Sequence, residues 1–258
     1  MHASPSDLRV VQRDDLLLRF AVMGDVTYVV VELPEAGSAG TTLEERCVQP
    51  HWGLVLRGEV SLERADQRIS LPTGRVFHVA PGGPPHRFLA DGSAALAGFS
   101  RLDAGADVSD EAIARLGFDV VHDARRALGQ PTVPAPRLEL LGQPPVRRAG
   151  RVDVQAVRMG GLLCCQARLR ATTGYDIEWC DQPHWGLVLS GELTVDAEDQ
   201  AELIAAGDAY YCPPGPPGHR FETADEATIV DFTPLDSFGP GVRASAWRPR
   251  ARTLEAAL

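Results

Sequence analysis

CVQPHWGLVLRGE (47–59) returns further along the chain as CDQPHWGLVLSGE (180–192). The two copies differ at only two positions, and the likeness continues through PGGPPHRF (81–88) and PPGPPGHRF (213–221). Agreement of this extent indicates an internal duplication. The chain therefore supplies its own two-row alignment. The residues kept in both rows include Cys, His and Glu, which are residue types that hold metal ions in proteins.

The composition is that of an ordinary globular protein with room for two domains. Of its 258 residues, 44% are hydrophobic and 23% are charged. The duplication predicts an N-terminal domain over 1–128 and a C-terminal domain over 129–258. A net charge of −10 argues against a nucleic-acid or anionic-membrane partner. No apolar run reaches the ~18 residues of a membrane span, and the N-terminus lacks the apolar core of a signal peptide.

The numbers of cysteine and lysine residues limit the reactions and cross-links that the protein can support. The five cysteines are odd in number and include the adjacent pair Cys164 and Cys165, so a disulfide framework is not expected and a reduced, cytoplasmic setting fits better. We interpret Cys164, Cys165 and Cys212 as buried structural residues. The chain has no Lys, since all 25 basic residues are Arg, and this excludes the lysine Schiff base of the usual pyridoxal chemistry.

The pattern between turns predicts an all-β fold. Short segments rich in β-branched and apolar residues are separated by Gly and Pro clusters at roughly 8–12-residue spacing, as in an all-β sandwich or barrel. LRGEV and LSGEL each place a glycine between apolar strand residues, which predicts a tight hairpin or a bulge. The exception is 109–118, where a Ser cap and early acidic residues predict a short helix in the linker.

Four candidate metal ligands recur in both copies at one spacing. They are Glu45, Cys47, His51 and His86 in the first copy, and Glu178, Cys180, His184 and His219 in the second. Glu45 and Cys47 are two residues apart and so face the same side of a strand. His51 begins the next strand after a turn, and His86 must return from a different strand.

These spacings resemble the two motifs of the cupin superfamily, which read G-x5-H-x-H-x3–4-E-x6-G and G-x5-P-x-G-x2-H-x3-N. The second motif is matched by Gly74, Pro81, Gly83 and His86, and again by Gly207, Pro214 and His219, with Pro216 at the motif glycine. Its final Asn is absent from both copies. In the first motif, Glu and Cys stand at the two His positions and His stands at the Glu position. The resemblance implies a bicupin, with two tandem antiparallel, jelly-roll-like β-barrels.

The rearranged ligand types bear on the metal. A thiolate with two imidazoles favours zinc, with iron and copper as alternatives. Two states stay open for Glu45 and Glu178. As a fourth ligand, each would close a tetrahedral site; swung away, each would leave an open position and could act as a general base on a metal-bound water.

Four further residues beside the motifs are candidates for substrate binding. Arg87 and Arg220 follow the second-motif histidines and could bind a carboxylate, although a salt bridge serves them equally well. His78 in the first copy matches Tyr211 in the second, and this difference could make the two pockets chemically distinct.

The resemblance implies a function in small-molecule chemistry. Related bicupins include dioxygenases, decarboxylases and isomerases, so we expect a metalloenzyme of lyase, isomerase, hydrolase or dioxygenase type that acts on a small carboxylated or oxygenated molecule. Two alternatives remain: a zinc or small-ligand sensor, and metal sites that only brace the barrels. A homodimer is expected by analogy with the family alone.

Overall fold

The structure of the protein, a computed structural model, describes residues 2–3, 8–13, 16–33, 50–64, 67–80, 86–90, 92–101, 147–149, 151–172, 179–197 and 200–237. These residues form the strands β1 (His2–Ala3), β2 (Arg9–Arg13), β3 (Leu16–Met23), β4 (Val26–Leu33), β5 (His51–Arg57), β6 (Glu59–Arg64), β7 (Gln67–Pro72), β8 (Val76–Val79), β9 (His86–Ala90), β10 (Ala94–Arg101), β11 (Arg147–Ala149), β12 (Val152–Met159), β13 (Leu162–Arg170), β14 (His184–Ser190), β15 (Glu192–Ala197), β16 (Gln200–Ala205), β17 (Ala209–Cys212), β18 (His219–Glu222) and β19 (Glu226–Pro234). Within these ranges the helical structure is one 3-10 turn, Leu235–Ser237. No helix in the described part of the chain is long and apolar enough to cross a membrane.

The chain divides into two compact units. The first unit spans 6–142, and the second spans 143–258 together with 1–5. The N-terminal residues join the second unit because β1 pairs with β17, with His2 opposite Tyr210. The predicted helix over 109–118 and the predicted boundary between residues 128 and 129 lie outside the described residues.

The two units share one strand order. The larger sheet of the first unit runs β2-β3-β4-β10-β5-β8, and that of the second runs β11-β12-β13-β19-β14-β17, with β1 added at its edge. Each unit also has a three-stranded sheet, β7-β6-β9 or β16-β15-β18. All the pairings are antiparallel, so the all-β prediction is confirmed.

Each unit buries a core between its large and small sheets. In the first unit, Phe88 on the small sheet packs against Phe77 on the large sheet, with ring centroids 4.9 Å apart. In the second unit, Phe221 meets Tyr210 in the same way at 5.4 Å. The Phe of each HRF sequence is therefore a core residue, and it anchors the histidine two positions before it on the same face of the strand.

A glycine marks the point where the chain leaves the large sheet of each unit for the small one. Gly58 and Gly191 have φ of 76° and 77°, a left-handed conformation that L side chains rarely adopt. Just before each glycine the register of the large sheet shifts, between Val188 and Ser190 in the second unit. The glycine in LRGEV and LSGEL thus directly follows a bulge, which is one of the two structures that the sequence predicts in this segment.

Replacing Gly191 with alanine should destabilise the second unit by at least about 1–2 kcal/mol. The new side chain would adopt a left-handed φ, and its Cβ would collide with the carbonyl oxygen of Glu226. Urea unfolding followed by circular dichroism measures the loss. Gly161→Ala is the matched control, because a Cβ there meets nothing within 4 Å. It should change stability by less than about 0.5 kcal/mol, and equal losses in the two variants would contradict the prediction.

Candidate metal centre

The main chain brings Cys180 and His219 side by side. The N–H of Cys180 donates to the carbonyl of His219 at 2.7 Å, and the N–H of His219 donates to the carbonyl of Cys180 at 2.8 Å. His219 is the first residue of β18 in the small sheet, whereas His184 is the first residue of β14 in the large sheet. The first and second motifs of this unit therefore meet where the two sheets approach each other.

Cys180, His184 and His219 form a cluster in which one ligand atom of each residue lies within 4.8 Å of the others. The Sγ of Cys180 lies 3.0 Å from Nε2 of His184, and the two imidazoles are nearly perpendicular, with centroids 5.0 Å apart. Both histidines are buried, and Cys180 is partly exposed. We call these three residues the Cys-His-His cluster.

The cluster fits a metal ion. Among the described residues, no hydrogen-bond partner reaches the buried Nε2 of His219, and such an atom is costly unless something binds it. A thiol and two imidazoles are the donors that zinc or copper(I) prefers. Glu178, the predicted fourth ligand or base, lies outside the described residues.

A second layer of polar side chains holds His184 from behind. The Nδ1 atom of His184 lies 2.8 Å from Oδ1 of Asp231 and 2.8 Å from Oγ1 of Thr233. The hydroxyl of Tyr210 donates to the other oxygen of Asp231 at 2.8 Å. The Tyr210 ring passes over Gly186, where any Cβ would collide with its hydroxyl. The glycine of HWGLV is thus required by the ring that crosses it.

The two histidines of the cluster differ in the direction of their pKa shifts. Burial disfavours a positive charge on His184, but Asp231 and the hydrogen bonds to Asp231 and Cys180 outweigh burial and raise the pKa of His184 from 6.5 to about 10. Burial, followed by repulsion from His184, lowers the pKa of His219 to about 4. A metal ion must displace the proton of His184 before Nε2 can serve as a ligand.

The first unit repeats the histidine pair but only the hydroxyl of the layer behind it. His51 and His86 begin β5 and β9, and their ring centroids lie 5.4 Å apart. Nδ1 of His51 contacts the hydroxyl of Ser100 on the neighbouring strand β10. Burial, and then the charge of His86, lower the pKa of His51 to about 3. Glu45 and Cys47 lie outside the described residues.

Arg220, one of the candidate substrate-binding residues, faces away from the histidines. Arg220 is held by Asp196, with Nε to Oδ2 at 2.8 Å, and also by Glu222, and its guanidinium lies 5.3 Å from the centre of the Trp179 ring. Side chains alternate along a strand, so Arg220 faces away from His219.

The aligned pair on the large sheets faces away from the histidines too. Tyr211 is paired with Trp185 and stacks on its ring, whereas His184 points to the other face of the sheet. His78 is paired with Trp52 in the same way. Arg87 lies on β9, with a side chain outside what the structure describes.

The other described cysteines are not members of the cluster, although Cys212 is paired with His184 across the sheet and so lies beside it. Cys164, Cys165 and Cys212 are buried free thiols, and burial is the largest cause that raises the pKa of each. Thiols of this kind are unreactive, in agreement with a structural role.

Asp231, Thr233 and Tyr210 belong to the candidate site, although the motifs alone do not reveal them. The alignment of the two copies contains a signal for them, because IVDFT (229–233) is aligned with LAGFS (96–100) and Tyr210 is aligned with Phe77. An acidic residue inside an apolar strand that faces the core is unusual unless it has a partner.

Comparison with known proteins supports the fold. A scan against protein-family models finds no match, and a search of curated proteins finds none. AerE from Microcystis aeruginosa superposes with a TM-score of 0.60 at 14% identity, over 88% of this chain and 97% of that one. Oxalate decarboxylase from Bacillus subtilis superposes with a TM-score of 0.63 at 16% identity, over 92% and 76%. The fold is that of a tandem cupin.

A further structure of the same decarboxylase comes from work on its Mn(II) centres. It superposes with a TM-score of 0.62 at 18% identity, and the alignment covers 92% of this chain and 77% of that one. Identities this low show a common cupin fold. They leave the reaction to be argued from the residues of this chain.

The two buried first-motif histidines should differ in charge when the protein is stripped of metal. With a pKa of about 10, His184 should stay protonated through pH 8, whereas His51, with a pKa of about 3, should stay neutral down to about pH 5. Imidazole nitrogen chemical shifts in NMR spectra measure both states, with His184→Gln and His51→Gln for assignment. Titration of both residues near pH 6.5 would contradict the prediction.

Proposed function

We propose that this protein is a metal-dependent cupin enzyme that acts on a small carboxylated or oxygenated molecule. In the proposal, the second unit holds a divalent metal through Cys180, His184 and His219. The observation that carries the proposal is the convergence of these three side chains, together with a buried imidazole nitrogen, Nε2 of His219, that no hydrogen-bond partner reaches among the described residues.

Zinc is the metal that we propose. Oxalate decarboxylase has Mn(II) centres, but carboxylate and other oxygen ligands suit manganese, whereas a thiolate beside two imidazoles suits zinc. Glu178 would complete the set as a fourth ligand or would act as a base. When bound with one open position, zinc polarises an oxygen of the substrate and lowers the pKa of a bound water.

The surroundings of the cluster favour catalysis over a purely structural site. Structural zinc sites are closed, whereas catalytic sites keep an open position. Cys180 is partly exposed and the adjacent Trp179 is 48% exposed, so the cluster lies near the surface of the second unit. Small molecules can therefore approach from the Cys180 side, while His184 and His219 remain shielded from water.

We extend the proposal to the first unit with Glu45, Cys47, His51 and His86 as ligands. The support is the recurring edge-to-face histidine pair at 5.4 Å, together with the shared strand order of the two units. A protein with both centres would carry two metal ions per chain.

Metal content tests the binding proposal directly. Protein purified in zinc-supplemented medium should contain about two zinc ions per chain by elemental analysis, and Cys180→Ser should contain about one, because a hydroxyl is a much poorer zinc ligand than a thiolate. Cys164→Ala is the matched control, since Cys164 is a buried thiol of the same unit that faces away from the cluster. Full metal content in Cys180→Ser would contradict the assignment.

Turnover tests the enzymatic proposal. Zinc-loaded, chelator-stripped and zinc-restored protein should be incubated with a panel of small carboxylic, dicarboxylic and hydroxy acids and followed by mass spectrometry. At least one acid should be converted by the loaded and restored forms and left unchanged by the stripped form and by Cys180→Ser. Metal binding without any conversion would indicate a sensor or binding protein instead.

A further inference from the structure

Asp231 is a buried carboxylate joined to the metal cluster through one side chain. It is 0% exposed and lies opposite Gly186 in the sheet, two residues before Thr233 on the same face of β19. Its Oδ1 accepts from the imidazole of His184 and from the hydroxyl of Thr233, and its Oδ2 accepts from Tyr210. Each oxygen of the carboxylate therefore has a partner.

This arrangement leaves His184 one way to bind a metal. Since Nδ1 is engaged by Asp231, the nitrogen left for a metal is Nε2, and Nε2 is the atom that lies 3.0 Å from the sulfur of Cys180. A carboxylate that accepts from the far nitrogen of a ligating histidine fixes its tautomer and ring orientation and makes it a better donor. Tyr210 in turn keeps the carboxylate from rotating away.

The first unit lacks this device at the same positions of its sheet. Gly98 lies opposite Gly53, as Asp231 lies opposite Gly186, and Phe77 stands where the second unit has Tyr210. A small cavity of about the size of one water molecule lies beside His51, between Phe77, Gly98 and Ser100. The duplication has thus kept the histidine ligands and changed the residues behind them.

We infer that Asp231, steadied by Tyr210, is a positioning residue that orients His184 and makes the second unit the tighter of two metal centres. The inference rests on the proposed metal site and adds a division between its two copies. Loss of such an outer partner typically weakens metal binding by about 10–100-fold. The first unit, with a glycine at this position, would hold its metal more weakly by a similar factor.

Metal affinity in a single-site protein tests the inference. His86→Gln removes a histidine of the first unit, so Co(II) titration followed by the thiolate charge-transfer band, and zinc competition with a chromophoric chelator, then report on the second unit. In this background Asp231→Asn should bind about 10–100-fold more weakly, because Asn keeps the shape of the side chain but not its charge. Tyr210→Phe, the residue of the first unit, should weaken binding to a smaller extent.

Asp208→Asn is the matched control. Asp208 is a buried carboxylate of the same unit that accepts from the backbone N–H of Ala205, with no contact to the cluster in the described structure. It should lower the melting temperature and leave metal affinity unchanged. Thermal unfolding checks that each variant is folded. If Asp231→Asn does not fold, the metal affinity of Tyr210→Phe tests the inference instead.

The outcomes separate the two proposals. If the His86→Gln protein binds metal and neither Asp231→Asn nor Tyr210→Phe weakens it, the positioning role is overturned and the metal site stands. Equal weakening in Asp208→Asn would also overturn it, since any buried carboxylate would then matter. If the His86→Gln protein binds neither Co(II) nor zinc, the metal site of the second unit itself is wrong, and the inference falls with it.

Discussion

The two backbone hydrogen bonds between Cys180 and His219 are the constraint on which the candidate site depends. They join a segment that leads into the large sheet to the first residue of the small sheet, so the two motifs of the unit are held together by main-chain geometry. His184 then follows within one short turn and begins β14. The cluster is therefore assembled by the same pairing that brings the edges of the two sheets together.

The duplication separates what the site needs from what it can vary. Both units keep a buried histidine pair and the phenylalanine of the HRF sequence in the core. Both also keep a bulge near the end of the strand that begins with the first-motif histidine, β5 or β14. They differ in the residues behind the histidines. The first unit has Gly98 and Phe77 at the positions that Asp231 and Tyr210 occupy in the second unit. Changes in this layer alter the electrostatics of a histidine without moving the strand that carries it.

Much of the fold could be predicted because duplicated motifs and strand periodicity are local signals. The opposite faces of Tyr210 and Tyr211 could not, since a shift of one residue reverses the face of every side chain on a strand and the sequence does not state the register. Asp231 could not be predicted as a site residue from the repeat, because the aligned residue in the first copy is Gly98 and the two copies share no residue at this position. The pairing of β1 with β17 rests on two residues, too few for any periodic pattern.

The buried carboxylate of Asp231 suits both the metal-free and the metal-bound state of the cluster. A buried carboxylate is costly unless a positive partner lies beside it. Without a metal, the protonated imidazole of His184 supplies that charge, which is why the pKa of His184 is raised to about 10. A divalent ion at Nε2 would replace the proton with a cation on the far side of the same ring. Asp231 would then face a positive group before and after binding, and its hydrogen bonds to Tyr210 and Thr233 would not need to change.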